Sequence, residues 1–416
     1  SETTSISYTI TDGGFTSQAT ATVTVNGSND IPTVDATQPA AFSEAADATA
    51  QNLSASGTVT FGDLDTTDTI SISFVSNGDI AWSGGALDAT LAQTLVAGFS
   101  TGVTAADAPG TTSWTYDANG LDLDFLAEGD SITFSYTVSA TDSSGGVATD
   151  VVSVTVNGSN DIPTVAATQP AAFSEAADAT AQNLSASGTV TFGDLDTTDT
   201  ISISFVSNGD IAWSGGALDA TLAQTLVAGF STGVTAADAP GTTSWTYDAN
   251  GLDLDFLAEG DSITFSYTVS ATDSSGGVAT DVVSVTVNGS NDIPTVAAAL
   301  AQAANEGSSS FNLNLLQGAS DLDAGETATL AVASVAYSVD GATPTTTPPA
   351  GFSISTDGIL SVDPQNTAFN YLAVNQSQVV VVSYDVTDAQ GASVTQTATV
   401  TVNGSNDIPT VAAALA

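Results

Sequence analysis

The chain has 416 residues and contains no Lys, Arg, His, Cys or Met against 46 acidic residues, for a net charge of −46. That inventory excludes a Ser-His-Asp triad, a Schiff-base or P-loop lysine and any thiolate or imidazole metal site. It also excludes nucleic acid as a direct partner, since no side chain could neutralise a phosphate.

Hydrophobic residues make up 42% of the chain and charged residues only 11%. That balance is unlike a disordered acidic segment, and the abundance of Val, Thr, Ile, Ser and Gly favours strands and turns. No apolar run reaches 18 residues, and the chain opens on Ser1-Glu2-Thr3 without an initiator Met or signal peptide. It reads as a soluble window of a longer chain, with targeting and anchoring segments outside the window and no direct membrane insertion within it.

Internal repetition sets the organisation. The string VTVNGSNDIPTV occupies 23–34, 154–165, 285–296 and 400–411. Residues 1–34 read as the last strands of a preceding repeat, because SYTITDGGFTSQATATVTVNG parallels SYTVSATDSSGGVATDVVSVTVNG. Residues 35–165 form one repeat and 166–296 a second, differing only at Asp35 against Ala166. Residues 297–411 form a divergent third, and 412–416 repeat its opening AAALA, as the start of a following one.

Within 35–165, alternation of apolar with Ser or Thr predicts strands over 57–61, 69–75, 113–116, 131–140 and 147–156. The strings NGD, PGTT, DANG, EGD and SSGG read as the turns between them. Leu87, Leu91, Leu95, Val96 and Phe99 fall at helical spacing and predict a short helix capping one end. Trp82, Trp114, Phe74, Phe134 and Tyr136 are expected in the core or at strand edges. About seven strands per repeat predicts an all-β chain of tandem immunoglobulin-like antiparallel β-sandwiches in a linear array.

The acidic residues concentrate in turns and at repeat ends. Glu44 or Glu175 comes early, followed by GDLDTTD with Asp63, Asp65 and Asp68 or Asp194, Asp196 and Asp199. ATDSSGG then supplies Asp142 or Asp273, and the junction NGSNDIP closes the repeat. The third repeat keeps the order with Glu306, SDLDAGE (Asp321, Asp323, Glu326), VTDAQG (Asp388) and Asn403 to Asp407. Carboxylates at i and i+2 in one turn repel unless a cation sits between them. With no basic side chain, metal or solvent is the available counter-charge, and hard oxygen ligands select Ca²⁺ or Mg²⁺. The alternative is a set of ordinary turn aspartates facing water. Leu121-Asp122-Leu123-Asp124-Phe125 and its copy at 252–256 read as a solvated acidic face, and Asp79, Asp88, Asp117 and Asp130 as turn residues or caps.

The tail TVSATDSSGGVATDVVSVTVNGSNDIPTV resembles the last strands of the VCBS and cadherin-like repeats of giant bacterial surface adhesins of the RTX-adhesin type. It is also similar to the cadherin pattern of an A-x-D-x-G turn followed by a DxNDNxP linker, with Asn26 in place of the linker's leading Asp. The resemblance implies cadherin-like sandwiches that bind Ca²⁺ at their junctions. Carried across by motif, the ligands are Asn29 and Asp30 with Glu44, Asp63, Asp65 and Asp142; then Asn160 and Asp161 with Glu175, Asp194, Asp196 and Asp273; then Asn291 and Asp292 with Glu306, Asp321, Asp323 and Asp388. The function implied is a calcium-rigidified extender stalk on the bacterial cell surface, serving adhesion and biofilm. Its partners are neighbouring repeats of the same chain. Alternative readings are a filament subunit completed by strand exchange with other copies, and a glycan- or ice-binding adhesin domain. Paired carboxylates alone give little reason to expect an enzyme.

Overall fold

The computed structural model describes residues 1–408 apart from Asp47, Ala48, Thr104, Ala179 and Thr235. The expected following repeat, 412–416, lies outside the described residues. Alternating Thr/Ser and Val/Ile/Tyr stretches pair into two facing sheets in each of the first two repeats. In the first, one sheet runs Thr33–Ala36, Gln51–Gly62, Gly110–Leu121, Phe99–Thr101. The other runs Phe42–Ser43, Val147–Asn157, Ser131–Thr141, Thr69–Ser76, Ala106–Asp107, with Ala81–Trp82 also pairing on Ser131–Thr141. Pairing is antiparallel except where Phe42–Ser43 lies parallel to Val147–Asn157. The second repeat reproduces this arrangement with Thr164–Ala167 through Val278–Asn288.

Period-2 burial explains the core: Phe134, Tyr136, Val138, Val152, Val154 and Val156 point inward to meet Val59, Phe61 and Trp114. Phe99 stacks between Trp114 and Tyr136, with ring centroids 5.6 and 4.3 Å away. Phe74 is 41% exposed and meets Phe99 edge-on, while Trp82 is half-buried.

A helix forms at Ala89–Ala97, with Asp88 accepting from the Thr90 and Leu91 amides as its N-cap. Its last carbonyls receive hydroxyls from both sheets: Tyr116 donates to Leu95 O at 3.0 Å and Tyr136 to Val96 O at 2.7 Å. The expected helical face overran its end, because Phe99 already belongs to the strand Phe99–Thr101.

Two expected turns lie inside a strand. Gly110–Leu121 runs from within PGTT through DANG. Gly120, at φ +68°, absorbs the irregularity as a bulge between Asn119 and Leu121, so the turn-forming Asn-Gly bends the strand rather than ending it.

The third repeat sets Leu300–Asn305 parallel to Ser393–Asn403, which pairs in turn with Ser377–Thr387, itself paired with Ala331–Val339. A smaller sheet of Phe311–Asn314, Ile359–Val362 and Phe352–Ile354 completes its core with Leu360, Phe369 and Val382. Residues Glu2–Asp12 and Phe15–Val25 form a fully paired hairpin. Its apolar face, with Ile6, Tyr8, Ile10, Val23 and Val25, is exposed. No helix among the described residues is long and apolar enough to cross a membrane.

Candidate metal centres at the repeat junctions

The NGSNDIP segments at 157–163 and 288–294 each run between the end of one repeat and the start of the next with carboxylates gathered on both sides, while the segment at 26–32 has them on its downstream side. The downstream side is built alike three times. The linker Asn donates its amide to the Asp of the hairpin turn: Asn29 to Asp142 Oδ2 at 3.0 Å, Asn160 to Asp273 at 3.3 Å, Asn291 to Asp388 at 2.9 Å. The following residue donates its backbone N–H to the second Asp of the DLD turn: Asp30 to Asp65 at 2.8 Å, Asp161 to Asp196 at 2.8 Å, Asp292 to Asp323 at 2.9 Å. Within that turn the first carboxylate caps the second residue's amide, as Asp194 does for Asp196 at 3.1 Å. The hairpin-turn Asp is held by its own loop; Asp142 Oδ1 accepts from the Ser144 and Gly146 amides, each at 2.8 Å.

These bonds use one oxygen of each DLD carboxylate and, in five of the six, leave the other buried with no donor. Such oxygens are Asp63 Oδ2, Asp194 Oδ2, Asp196 Oδ1, Asp321 Oδ2 and Asp323 Oδ1. Asp199 Oδ2, Glu326 Oε2, Asn160 Oδ1 and Asn291 Oδ1 share that condition. Three carboxylates converge within 4.8 Å in each pocket: Asp63, Asp68 and Asp142; Asp194, Asp199 and Asp273; Asp321, Glu326 and Asp388. Burial pushes the Asp194 carboxyl up to about 6 and Asp196 up to about 7, with neighbouring carboxylates adding to the rise. Asp323 is likewise pushed up to about 6 by burial. The amide of Asn29 instead holds Asp142 below the usual carboxylate range.

The upstream side departs from the grouping expected by motif. Glu44 does not join Asn29, Asp30, Asp63, Asp65 and Asp142; it sits at the other end of its repeat with Asp124 and Asp161. Glu175 correspondingly joins Asp255 and Asp292. The physical reason is strand direction. Phe42–Ser43 runs parallel beside the end of Val147–Asn157, so Glu44 emerges where the chain leaves the repeat, its N–H donating to Asn157 O at 2.8 Å. There Glu44 Oε2 accepts from the Ser159 amide at 3.0 Å and from its hydroxyl, while Oε1 accepts from Gln51 at 2.6 Å. Glu306 follows the same rule, accepting from the Ser405 amide at 3.3 Å and lying apart from Asn291, Asp292, Asp321, Asp323 and Asp388.

Asp124 and Asp255 are the residues that motif reading set aside. The LDLDF stretch is not one solvated acidic face: Asp122 is exposed while Asp124 is buried, because the strand ends at Leu121 and the chain turns. Burial raises the Asp255 carboxyl, and its Oδ1 has no donor. Asp292 is pushed up to about 6 by burial. The usable signal was a second D-x-D spaced like the first. Asp68, Asp199 and Glu326 also enter the pockets, although they stand outside the ligand set implied by the resemblance. In the third repeat Leu372 O lies under Gly404 as Leu126 O lies under Gly158. Asn370 is therefore the counterpart of Asp124, and the third exit has one carboxylate fewer.

The ligand atoms offered are carboxylate oxygens in every pocket, joined by the linker Asn amide oxygen on the downstream side, and several of the downstream oxygens have no hydrogen-bond donor. That donor set fits a hard divalent cation.

A scan against protein-family models finds no match, and no curated protein matches. Solved structures with a similar course include Protocadherin Gamma B2 extracellular cadherin domains 1–5, at 14% identity over 97% of this chain and 67% of that one, TM-score 0.42. They also include the Protocadherin GammaB4 extracellular domain, at 15% identity over 96% and 55%, TM-score 0.40. Drosophila N-cadherin EC1-4 is similar at 16% identity over 96% and 83%, TM-score 0.31. The chain thus spans about half to four-fifths of the length of these structures.

Proposed function

We propose that the chain is an extender: tandem β-sandwiches whose junctions are locked by Ca²⁺, projecting an adhesin or surface filament from a cell. The observation behind this reading is the pair of oxygen-lined pockets astride one short linker, in a chain without a cationic side chain. At the junction before Pro163, one ion would be held by Glu44, Asp124 and Asp161, and another by Asp194, Asp196, Asp199 and Asp273 with Asn160. At the junction before Pro294, the sets are Glu175, Asp255 and Asp292, and then Asp321, Asp323, Glu326 and Asp388 with Asn291. Asp63, Asp65, Asp68 and Asp142, with Asn29 and Asp30, form the downstream half of the first junction.

The ion supplies the positive charge that lets these carboxylates ionise side by side. The chain's own residues do the rest. Ser159 and Gln51 orient Glu44, the hairpin loop fixes Asp142, and the linker amides aim the DLD turn. Since the ligands come from two repeats and their linker, a bound ion opposes bending there. Extracellular, bacterial-surface placement suits weak calcium sites of about 10⁻⁴–10⁻³ M in a calcium-rich fluid.

Thermal unfolding in about 5 mM Ca²⁺ and in EGTA tests the reading. Sites of that affinity stabilise the folded chain by about 1–2 kcal/mol each, which raises Tm by several degrees. Equal Tm in both conditions removes calcium from the account. A second reading, completion by strand exchange, draws on the exposed apolar face of the hairpin formed by Glu2–Asp12 and Phe15–Val25. A native mass above that of one chain would support it.

A further inference from the structure

The downstream turn makes a second contact with the preceding repeat, through an aliphatic side chain, in a groove whose lining also includes Asp124 or Asp255. In the upstream repeat the helix Ala89–Ala97 and the segment after the bulge enclose a groove lined by Leu91, Leu121 and Phe125. Leu195, between Asp194 and Asp196 at the tip of the next repeat's turn, lies against it. At the following junction Leu322 lies in the same place against Leu222, Leu252 and Phe256. The sequence around Leu64 is identical to that around Leu195, but among the described residues no helix precedes it. Leu64 is 81% exposed, against 48% for Leu195 and 44% for Leu322.

A hydrogen bond fastens the turn at one and the same upstream carbonyl. Thr197 Oγ1 donates to Phe125 O at 3.3 Å. In the divergent repeat the corresponding residue is Ala324, which has no hydroxyl, and its backbone N–H donates to Phe256 O at 3.1 Å. The chemistry changed and the contact stayed.

We infer that the junctions before Pro163 and Pro294 each carry a metal-independent latch, in which the leucine of the DLD turn seats in the groove beside the upstream helix and the residue two positions after it bonds the carbonyl of the groove's phenylalanine. The occupant of the groove is thus the neighbouring repeat. Burial of an aliphatic side chain does not depend on ionisation, so the latch holds the register of the junction when the cation is absent. The helix, a minor part of the first two cores, is mainly the receiving surface.

Amide hydrogen exchange of the whole chain in EGTA tests this, and its outcome does not depend on calcium binding. The Ala324 amide is the probe, since it belongs to the divergent repeat and donates across the junction. It should exchange about tenfold or more slowly than in an unstructured peptide. Leu322→Ser, at a half-exposed position outside the core, should abolish that protection. Leu222→Ser, in the other repeat, should abolish it too, which a local disturbance of the third repeat would not explain. Leu64→Ser should leave it unchanged. An Ala324 amide that exchanges freely in EGTA, or protection that survives both groove and knob substitutions, overturns the latch.

Discussion

Asp255 is buried at 4% exposure beside Glu175 and Asp292, and its ionisation is opposed by burial and by like charge. A residue in that position weakens the metal-free fold and strengthens the metal-bound one. Asp255→Asn should therefore raise Tm in EGTA while lowering calcium affinity about tenfold or more, the usual scale for damage to a metal site. Titration calorimetry beside thermal melts checks both signs, and a loss in both conditions would mark Asp255 as merely structural. The pH dependence follows from the same cause. Asp194 and Asp292 are held near 6 and Asp196 near 7, above the ordinary unfolded value of about 3.9. Folded-state pKa values above the unfolded ones contribute stability that is complete below about pH 4 and is lost as pH rises through about 6 to 7. The metal-free chain should thus lose Tm between pH 4 and 7. In saturating calcium, where ionised ligands are needed, the slope should reverse. Parallel slopes would contradict the assignment of these carboxylates.

At the level of elements, the strands were the most legible feature. Thr69–Ser76, Ser131–Thr141 and Val147–Asn157 follow from alternation alone, because each has one face on a core. DANG was misleading since a bulge and a turn share the Asn-Gly signal, and only pairing with Gln51–Gly62 separates them. The DLD turn and the linker Asn and Asp were readable as one unit. The partners of Glu44 were not, since they depend on which end of a sandwich a strand reaches, and sequence order carries no such information. The helix gives a further prediction. Asp88→Ala removes the carboxylate that accepts from two helix amides and should cost about 1 kcal/mol, seen as a lower Tm with calcium affinity nearly unchanged. The linker is also tightly seated: a Cβ on Gly158 would lie 2.2 Å from Leu126 O. Gly158→Ala should therefore displace the linker from its own repeat and lower Tm and calcium affinity together, both measurable in the same titrated melts. An unchanged pair of values would show that the linker does not depend on this approach.

For the whole molecule, 46 acidic residues and no basic side chain leave repulsion to be answered from outside the chain. The junctions before Pro163 and Pro294 place carboxylates on both sides of the linker, whereas the third exit has Asn370 where the others have Asp124 or Asp255. The array is thus unequal along its length, with its best-furnished joints between the first and second and the second and third repeats. Small-angle scattering of the chain in about 5 mM Ca²⁺ and in EGTA, at matched ionic strength, tests the central claim most directly. Calcium-locked junctions predict a longer maximum dimension and a stiffer, rod-like profile in calcium, with softening and a broader spread of lengths in EGTA. Superimposable profiles in the two conditions would contradict the account, because a cation bridging two repeats and their linker has to restrict the angle between them.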